Sequence, residues 1–291
     1  VHSASAPTGA PLTHAPLFRA TVTFGFPLVL AMALGSLFNL VDLWVVAQMK
    51  HPAAAVAAVT IGSLVNSIPM IIFNGVVNAM IALVARHHGL GNHKRASLAA
   101  GQGLLVTILL SVVFGIPPWI FSREICVVLG AQGDSIEPAT DFLAIMSAGT
   151  FTMFLLMHVT GALRAAGNST VPLVLLVGSN VLNVVLLFWL VFGGLGVEPM
   201  GVAGAAWATV IARAVFAAAG ILLLFRGFVG LRLRRFAWRW ATMSSILKIG
   251  VPSCGQWVIR MMAYLYLVRF LSEAAPKAGE VATQVQAAFG V

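Results

Sequence analysis

Charge is what this sequence has least of. Only 9% of its 291 residues are Asp, Glu, Lys or Arg, against roughly 25% in an ordinary soluble domain. So few charges cannot cover a water-facing globule, which excludes a soluble enzyme, a nucleic-acid-binding domain and a disordered tail. Cysteine is as scarce: Cys126 and Cys254 lie far apart in apolar sequence, so neither a disulfide framework nor a zinc site is available. Acidic residues are the rarest charges, 8 against 17 Lys and Arg, for a net charge of +9. What fills the chain instead is hydrophobic sequence, 60% of all residues, with a mean hydropathy of +0.98. That is the composition of a membrane protein.

A spanning helix needs about 20 mostly apolar residues. Seven stretches qualify, at 19–47, 56–85, 97–121, 138–163, 171–193, 201–225 and 245–271. An eighth opens at Val281. Residues 1–17 hold Pro7, Pro11 and Pro16 and no apolar run, so they read as a flexible cytoplasmic tail with no cleavable signal. The chain has no initial methionine and ends within apolar sequence, which predicts a longer parent protein.

The few charges orient the bundle. With the N-terminus in the cytoplasm, the inner segments carry Arg19, Arg86, Lys94, Arg95, Arg164, Arg226, Arg232, Arg234, Arg235, Arg239 and Lys248. These are 11 of the 17 bases, and no acid accompanies them. Glu124, Asp134, Glu137, Asp141, Glu198, Glu273 and Glu280 all fall outside. This asymmetry satisfies the positive-inside rule and predicts a multi-pass protein of the inner (plasma) membrane. The basic segment 227–243 reads as a cytoplasmic linker that grips anionic lipid. Charge that follows topology gives no reason to invoke nucleic acid.

Slid on itself by 225 residues, the chain matches: Gly25-Phe26-Pro27 falls on Gly250-Val251-Pro252, and Val56-Ala57 on Val281-Ala282. Six helices return the chain to the cytoplasm, so a second unit would repeat the orientation of the first about an axis along the membrane normal. The expected architecture is an all-α membrane protein. A six-helix transmembrane lobe spans 18–226, and residues 244–291 hold helix 7 and the truncated beginning of helix 8 of a second, pseudo-symmetric lobe.

Asp42 is the one acidic residue deep within a span. An ionised carboxylate at mid-bilayer costs on the order of 2.5–3.5 kcal/mol, so it is a functional candidate by default. Asn39 shares its helix face. Pro27 lies fifteen residues earlier and predicts a kink. At 1.5 Å per residue, Asp42 sits about 10 Å below the outer surface, Thr209 about 12 Å, Asn183 about 15 Å and Asn180 about one turn deeper. The four could share one layer of an outward cavity, or each Asn and Thr could simply bond a neighbouring helix. Arg213, one turn past Thr209, is either a counter-charge to Asp42 or a cap on backbone carbonyls. Arg260 is too deep to reach the surface and is placed in the cleft between the two units.

Other signals carry less. His87, His88 and His93 occupy a basic turn that reads as topology, not metal binding. Gly89 and Gly91 follow no strand and form no dinucleotide fingerprint. His158 reads as a packed polar residue. No paired carboxylates and no Ser/His/Asp set converge, so enzyme chemistry is unsupported and no cofactor is expected.

The ordered motifs resemble those of the multidrug and toxic compound extrusion (MATE) transporters over nearly all of 18–291. They begin with Pro27 and Asp42, then Ala54-Ala55 and Ala57-Ala58. Gly89-Leu90-Gly91-Asn92 with Ala96 follows. The most specific stretch is Leu163-Arg164-Ala165-Ala166-Gly167-Asn168-Ser169-Thr170 with Pro172, Asn180, Leu182 and Asn183. Gly201 to Ala206 with Ala208-Thr209 completes the set. The resemblance implies twelve helices in two lobes and export of small organic, often cationic, compounds in exchange for protons, or alternatively sodium ions. It implies that Asp42 is the coupling residue and that Asn183 and Thr209 are its partners. The complete protein would be a monomer. Two departures stand out. One branch of the family has a second Asp four residues after Asn183, where this chain has Leu187. Another has an acidic residue eight after the seventh-helix proline, where this chain has Arg260. A lipid-linked oligosaccharide flippase shares the helical plan and is the alternative; an Arg- and Lys-rich cavity would favour it.

Overall fold

A computed structural model describes residues 17–49, 52–194, 196, 198–233 and 239–278. The tail 1–16, the linker residues 234–238 and the start of an eighth helix at 281 lie outside them, as do the side chains of Arg19 and Arg269. The described chain is helical nearly throughout. Its helices are α1 (Leu17–Ala47), α2 (Pro52–Gly89), α3 (His93–Ile120), α4 (Ser122–Val128), α5 (Ile136–Ala148), α6 (Thr150–Ala165), α7 (Thr170–Phe192), α8 (Gly201–Phe225) and α9 (Trp240–Ala278). Long apolar runs with no water to satisfy their backbones leave helix as the stable form.

Among the described residues five helices are long and apolar enough to cross a membrane: α1, α2, α3, α7 and α8. The expected fourth span is two helices, α5 and α6, bent by 43° at Gly149. Counted together as one bent span, they would make a sixth. The residues of the expected seventh span are helical within α9, which begins at Trp240 instead of 245, but α9 is not among the helices apolar enough to cross. It is long enough to cross, but Ser253, Gln256 and Arg260 leave it less apolar than the other five. The short helix α4 was not anticipated; it folds the connection after the third span.

The loop motifs have local causes. Asn92 Oδ1 accepts the Arg95 N–H at 3.1 Å, and Asn168 Oδ1 accepts the Val171 N–H at 2.9 Å. Each side chain satisfies an amide of the first turn of α3 or α7, where no backbone carbonyl can.

The main core joins α2, α3, α6, α7 and α8 around Phe73, Met80, Phe154, Leu163 and Leu224. Phe73 and Phe154 stack with ring centroids 3.9 Å apart. A second cluster, of Val45, Leu187, Leu190, Val191, Ala205 and Ala208, fastens the end of α1 to α7 and α8. The rest of α1 is half-buried on one side and open on the other, where Phe26, Met32 and Leu40 are exposed. α9 lies along α2 through Met243 and Ile246. Gly75 allows that approach, because a Cβ there would collide with Cys254 Sγ.

Candidate functional site

The site forms where the anchored end of α1 meets α7 and α8. Val41 and Val45 pack into the apolar cluster with Leu187 and Ala208, which turns the intervening Asp42 toward the same two helices. Asn183, buried on α7, bridges the rest. Oriented to satisfy both neighbours, its amide nitrogen donates to Asp42 Oδ1 at 3.0 Å. Its oxygen accepts from Thr209 Oγ1 at 3.0 Å and from the Thr209 N–H at 3.2 Å. Thr209 Oγ1 also lies 3.0 Å from the Ala205 carbonyl, one turn back on α8. Three of the residues singled out by their intramembrane position thus form one connected set.

Arg213 lies one turn beyond Thr209 on α8, within electrostatic reach of Asp42. It also lines a cavity of about 250 Å³ between α2, α5, α6 and α8, with Ser63, Asn66, Met70, Met146 and Met153. The Ser63 hydroxyl hydrogen and one of the two Asn66 amide hydrogens are already engaged. Ser63 Oγ donates to the Val59 carbonyl at 2.8 Å, and Asn66 Nδ2 to the Gly62 carbonyl at 2.9 Å. Against Arg213 they therefore present mainly acceptor oxygens, in a setting otherwise rich in methionine, whose flexible thioether adapts to varied apolar shapes.

The other expected residues fall around this set. Asn180 is half-buried on α7, one turn before Asn183, and Asn39 is exposed on α1. Pro27 lies inside α1 in its more open part. Arg260 is exposed and stacks over the Trp257 ring at 5.0 Å; nothing brings it to Asp42. His158 is buried in the core, with Nδ1 3.3 Å from Thr107 Oγ1. Leu187 is 1% exposed, so one turn beyond Asn183 the site is apolar. The cavity residues of α2 were missed in the sequence. Ser63, Asn66, Ser67 and Met70 recur at three- and four-residue spacing, a signal that was there to read.

Residues 27–189 match the family model MatE. The probable multidrug resistance protein YoeA of Bacillus subtilis is 26% identical over 261 residues, 88% of this chain and 56% of that protein. YpnP of the same organism, also a probable multidrug resistance protein, is 27% identical over 263 residues, 88% of this chain and 57% of its own length. The chain spans about half the length of the relatives it matches. Among solved structures, a MOP superfamily transporter from Pyrococcus furiosus, described as having a binding pocket of reverse polarity, superposes with a TM-score of 0.82. It is 23% identical and is matched over 97% of this chain and 61% of that one.

Proposed function

We propose, from the premise that this chain belongs to the MatE family of membrane transporters, that it is the N-terminal part of a secondary active exporter of small organic compounds. The bridge from Asp42 through Asn183 to Thr209 carries this reading. Asp42 is the coupling residue and the proton its ion, with sodium as the alternative. A proton arriving from the outer side removes the carboxylate charge. The Asn183 amide then loses its charge-assisted bond, and Arg213 loses its opposing charge. Both changes bear on the contact that holds α1 to α7 and α8. Pro27 lets the more open part of α1 bend at little packing cost, which changes the cavity and releases cargo outward. A cationic cargo and the proton compete for one negative charge, and this difference in affinity between states is what a coupled exchanger requires.

The protein is placed in the inner membrane with its N-terminus inside. The separation of charges supports this. Glu137 and Asp141 share a cavity of about 550 Å³ with Gln48 and Met200 at one end of the bundle. His93, Lys94, Arg95, Arg232 and Arg239 share another of about 580 Å³, beside the turn from α2 to α3, at the opposite end.

The test is Asp42→Asn in the complete protein, assayed as export of a fluorescent organic cation from vesicles with an imposed proton gradient. Exchange is expected to fall at least about 100-fold, as for loss of an essential proton-transfer group, with unchanged expression and helicity. Export at the wild-type rate would refute the coupling role.

The alternative, a flippase with an anionic cargo such as a lipid-linked oligosaccharide, calls for an Arg- and Lys-rich cavity, whereas Arg213 is the single base among the described residues lining the α2–α8 cavity. On that reading Arg213→Gln abolishes binding of an anionic probe. On the exporter reading it leaves cation binding intact.

A further inference from the structure

The basic end of the bundle holds a cavity apart from the set formed by Asp42, Asn183 and Thr209. Its volume is about 580 Å³, and its lining includes His93, Lys94, Arg95 and Ser97 of α3 with Arg232 and Arg239 from beyond α8. Among the described residues no Asp or Glu lines it. The two walls are joined by backbone amides. The Arg232 N–H donates to Ser97 Oγ at 3.0 Å, and the Arg239 N–H donates to Gln102 Oε1 at 3.1 Å. Arg232 and Arg239 are therefore held against α3 by backbone contacts that do not use their guanidinium groups. A smaller cavity of about 270 Å³ adjoins, sharing Arg95 and Arg239 and adding His87. Beside it the His88 ring meets that of His93 at 4.8 Å between centroids, with both His88 nitrogens buried and lacking a hydrogen-bond partner. The first turn of α3, with no acid in it, adds the positive end of a helix dipole.

We propose that this cavity binds the phosphate of an anionic phospholipid of the adjoining leaflet, and that the bound headgroup pins residues 231–233 and Arg239 onto α3. Cations from two separate stretches of chain converge there with nothing negative between them, and a phosphodiester supplies both the charge and the acceptor oxygens. Free phosphate offers the same chemistry, but the surroundings favour a lipid. Leu90, Phe228 and Trp240 are 73%, 37% and 67% exposed on the flanking segments. Exposed apolar and Trp side chains beside a basic cluster are what a membrane–water interface accommodates. The proposal depends on the membrane placement and not on the nature of the cargo.

The complete protein in phosphatidylcholine nanodiscs, with and without phosphatidylglycerol, tests it. Retained lipid is counted by native mass spectrometry, and amide exchange is followed over residues 93–98 and 231–233. The wild type should retain phosphatidylglycerol over phosphatidylcholine by about tenfold or more, given several bases at one site, and should gain protection in both segments. The variant carrying Arg95→Gln, Arg232→Gln and Arg239→Gln should lose the preference, while Arg123→Gln, at the far end, keeps it. Should the triple variant fail to fold, Lys94→Gln, an exposed position, should lower the preference in the same direction by about threefold. Equal retention by the wild type and a folded variant would overturn the proposal. So would equal protection of 231–233 by inorganic phosphate alone in phosphatidylcholine, which would assign the site to a soluble anion.

Discussion

A carboxylate inside a membrane persists only if its surroundings make its charge, or its proton, tolerable. Asp42 has a neutral donor, the Asn183 amide, and a nearby cation, Arg213. The pair differs from a simple salt bridge because Asn183 ties the carboxylate to the backbone of α8 through Thr209. Removing the bridge should therefore uncouple Asp42 from α8. Asn183→Ala is expected to cost about 1–2 kcal/mol for the lost charge-assisted bond and to lower exchange more than it lowers stability. A double-mutant cycle with Thr209→Val, read by thermal unfolding in detergent, should give a coupling of about 0.5–3 kcal/mol; strict additivity would mean that Asn183 and Thr209 do not act as a pair. Leu187 bears on the same question. It packs against Val45 and Ala208, so a second carboxylate there would be buried in an apolar cluster.

At the scale of elements, α1 is anchored at one end and open on one side along the rest. Its anchor is the cluster around Val45, and Pro27 interrupts the hydrogen bonding of the other half. Gly25 and Gly35 would meet nothing within 4 Å even with a Cβ added. Bending that half disturbs few contacts. Pro27→Ala should therefore slow exchange by about tenfold, roughly 1.4 kcal/mol on the barrier, with little change in melting temperature. A slow variant that also melts early would point to packing instead. The α7–α8 pair behaves oppositely. Gly204 sits against the Leu190 carbonyl, where a Cβ would come within 2.6 Å. Gly204→Ala should destabilise by about 1–3 kcal/mol, seen as a lower melting temperature, because backbone cannot move aside as a side chain can.

At the scale of the molecule, the acids and most of the bases among the described residues lie at opposite ends of the bundle, Asp42 and Arg213 aside, and the core between them is largely apolar. Accessibility to a membrane-impermeant thiol reagent, in a background lacking Cys126 and Cys254, should separate the ends. Asp134→Cys should label in intact cells and Lys94→Cys only after permeabilisation. The reverse pattern would invert the topology. The core should respond as a unit: Phe73→Ala removes one ring of the stacked pair and should cost about 3–5 kcal/mol, measured by unfolding in detergent.

The helical class, the positions of the five apolar crossings α1, α2, α3, α7 and α8, and the carboxylate within the first of them were legible in the residues alone. In a bilayer every backbone polar group must bond internally and every charge must be explained, so composition constrains the fold more tightly than in water. Asp42, Asn183 and Thr209 could be singled out because polar residues are rare enough in these spans to be conspicuous. Depth alone could not say which of them meet; only the family resemblance put Asn183 and Thr209 beside Asp42. Asn180 lies one turn from Asn183 on the same helix, yet in the fold it is Asn183 that bridges Asp42 and Thr209. The 43° break between α5 and α6, the cavity that Arg213 enters and the joining of Arg232 to Ser97 were settled by packing. Helix rotation and crossing depend on how side chains from several helices interlock, and no single helix carries that information.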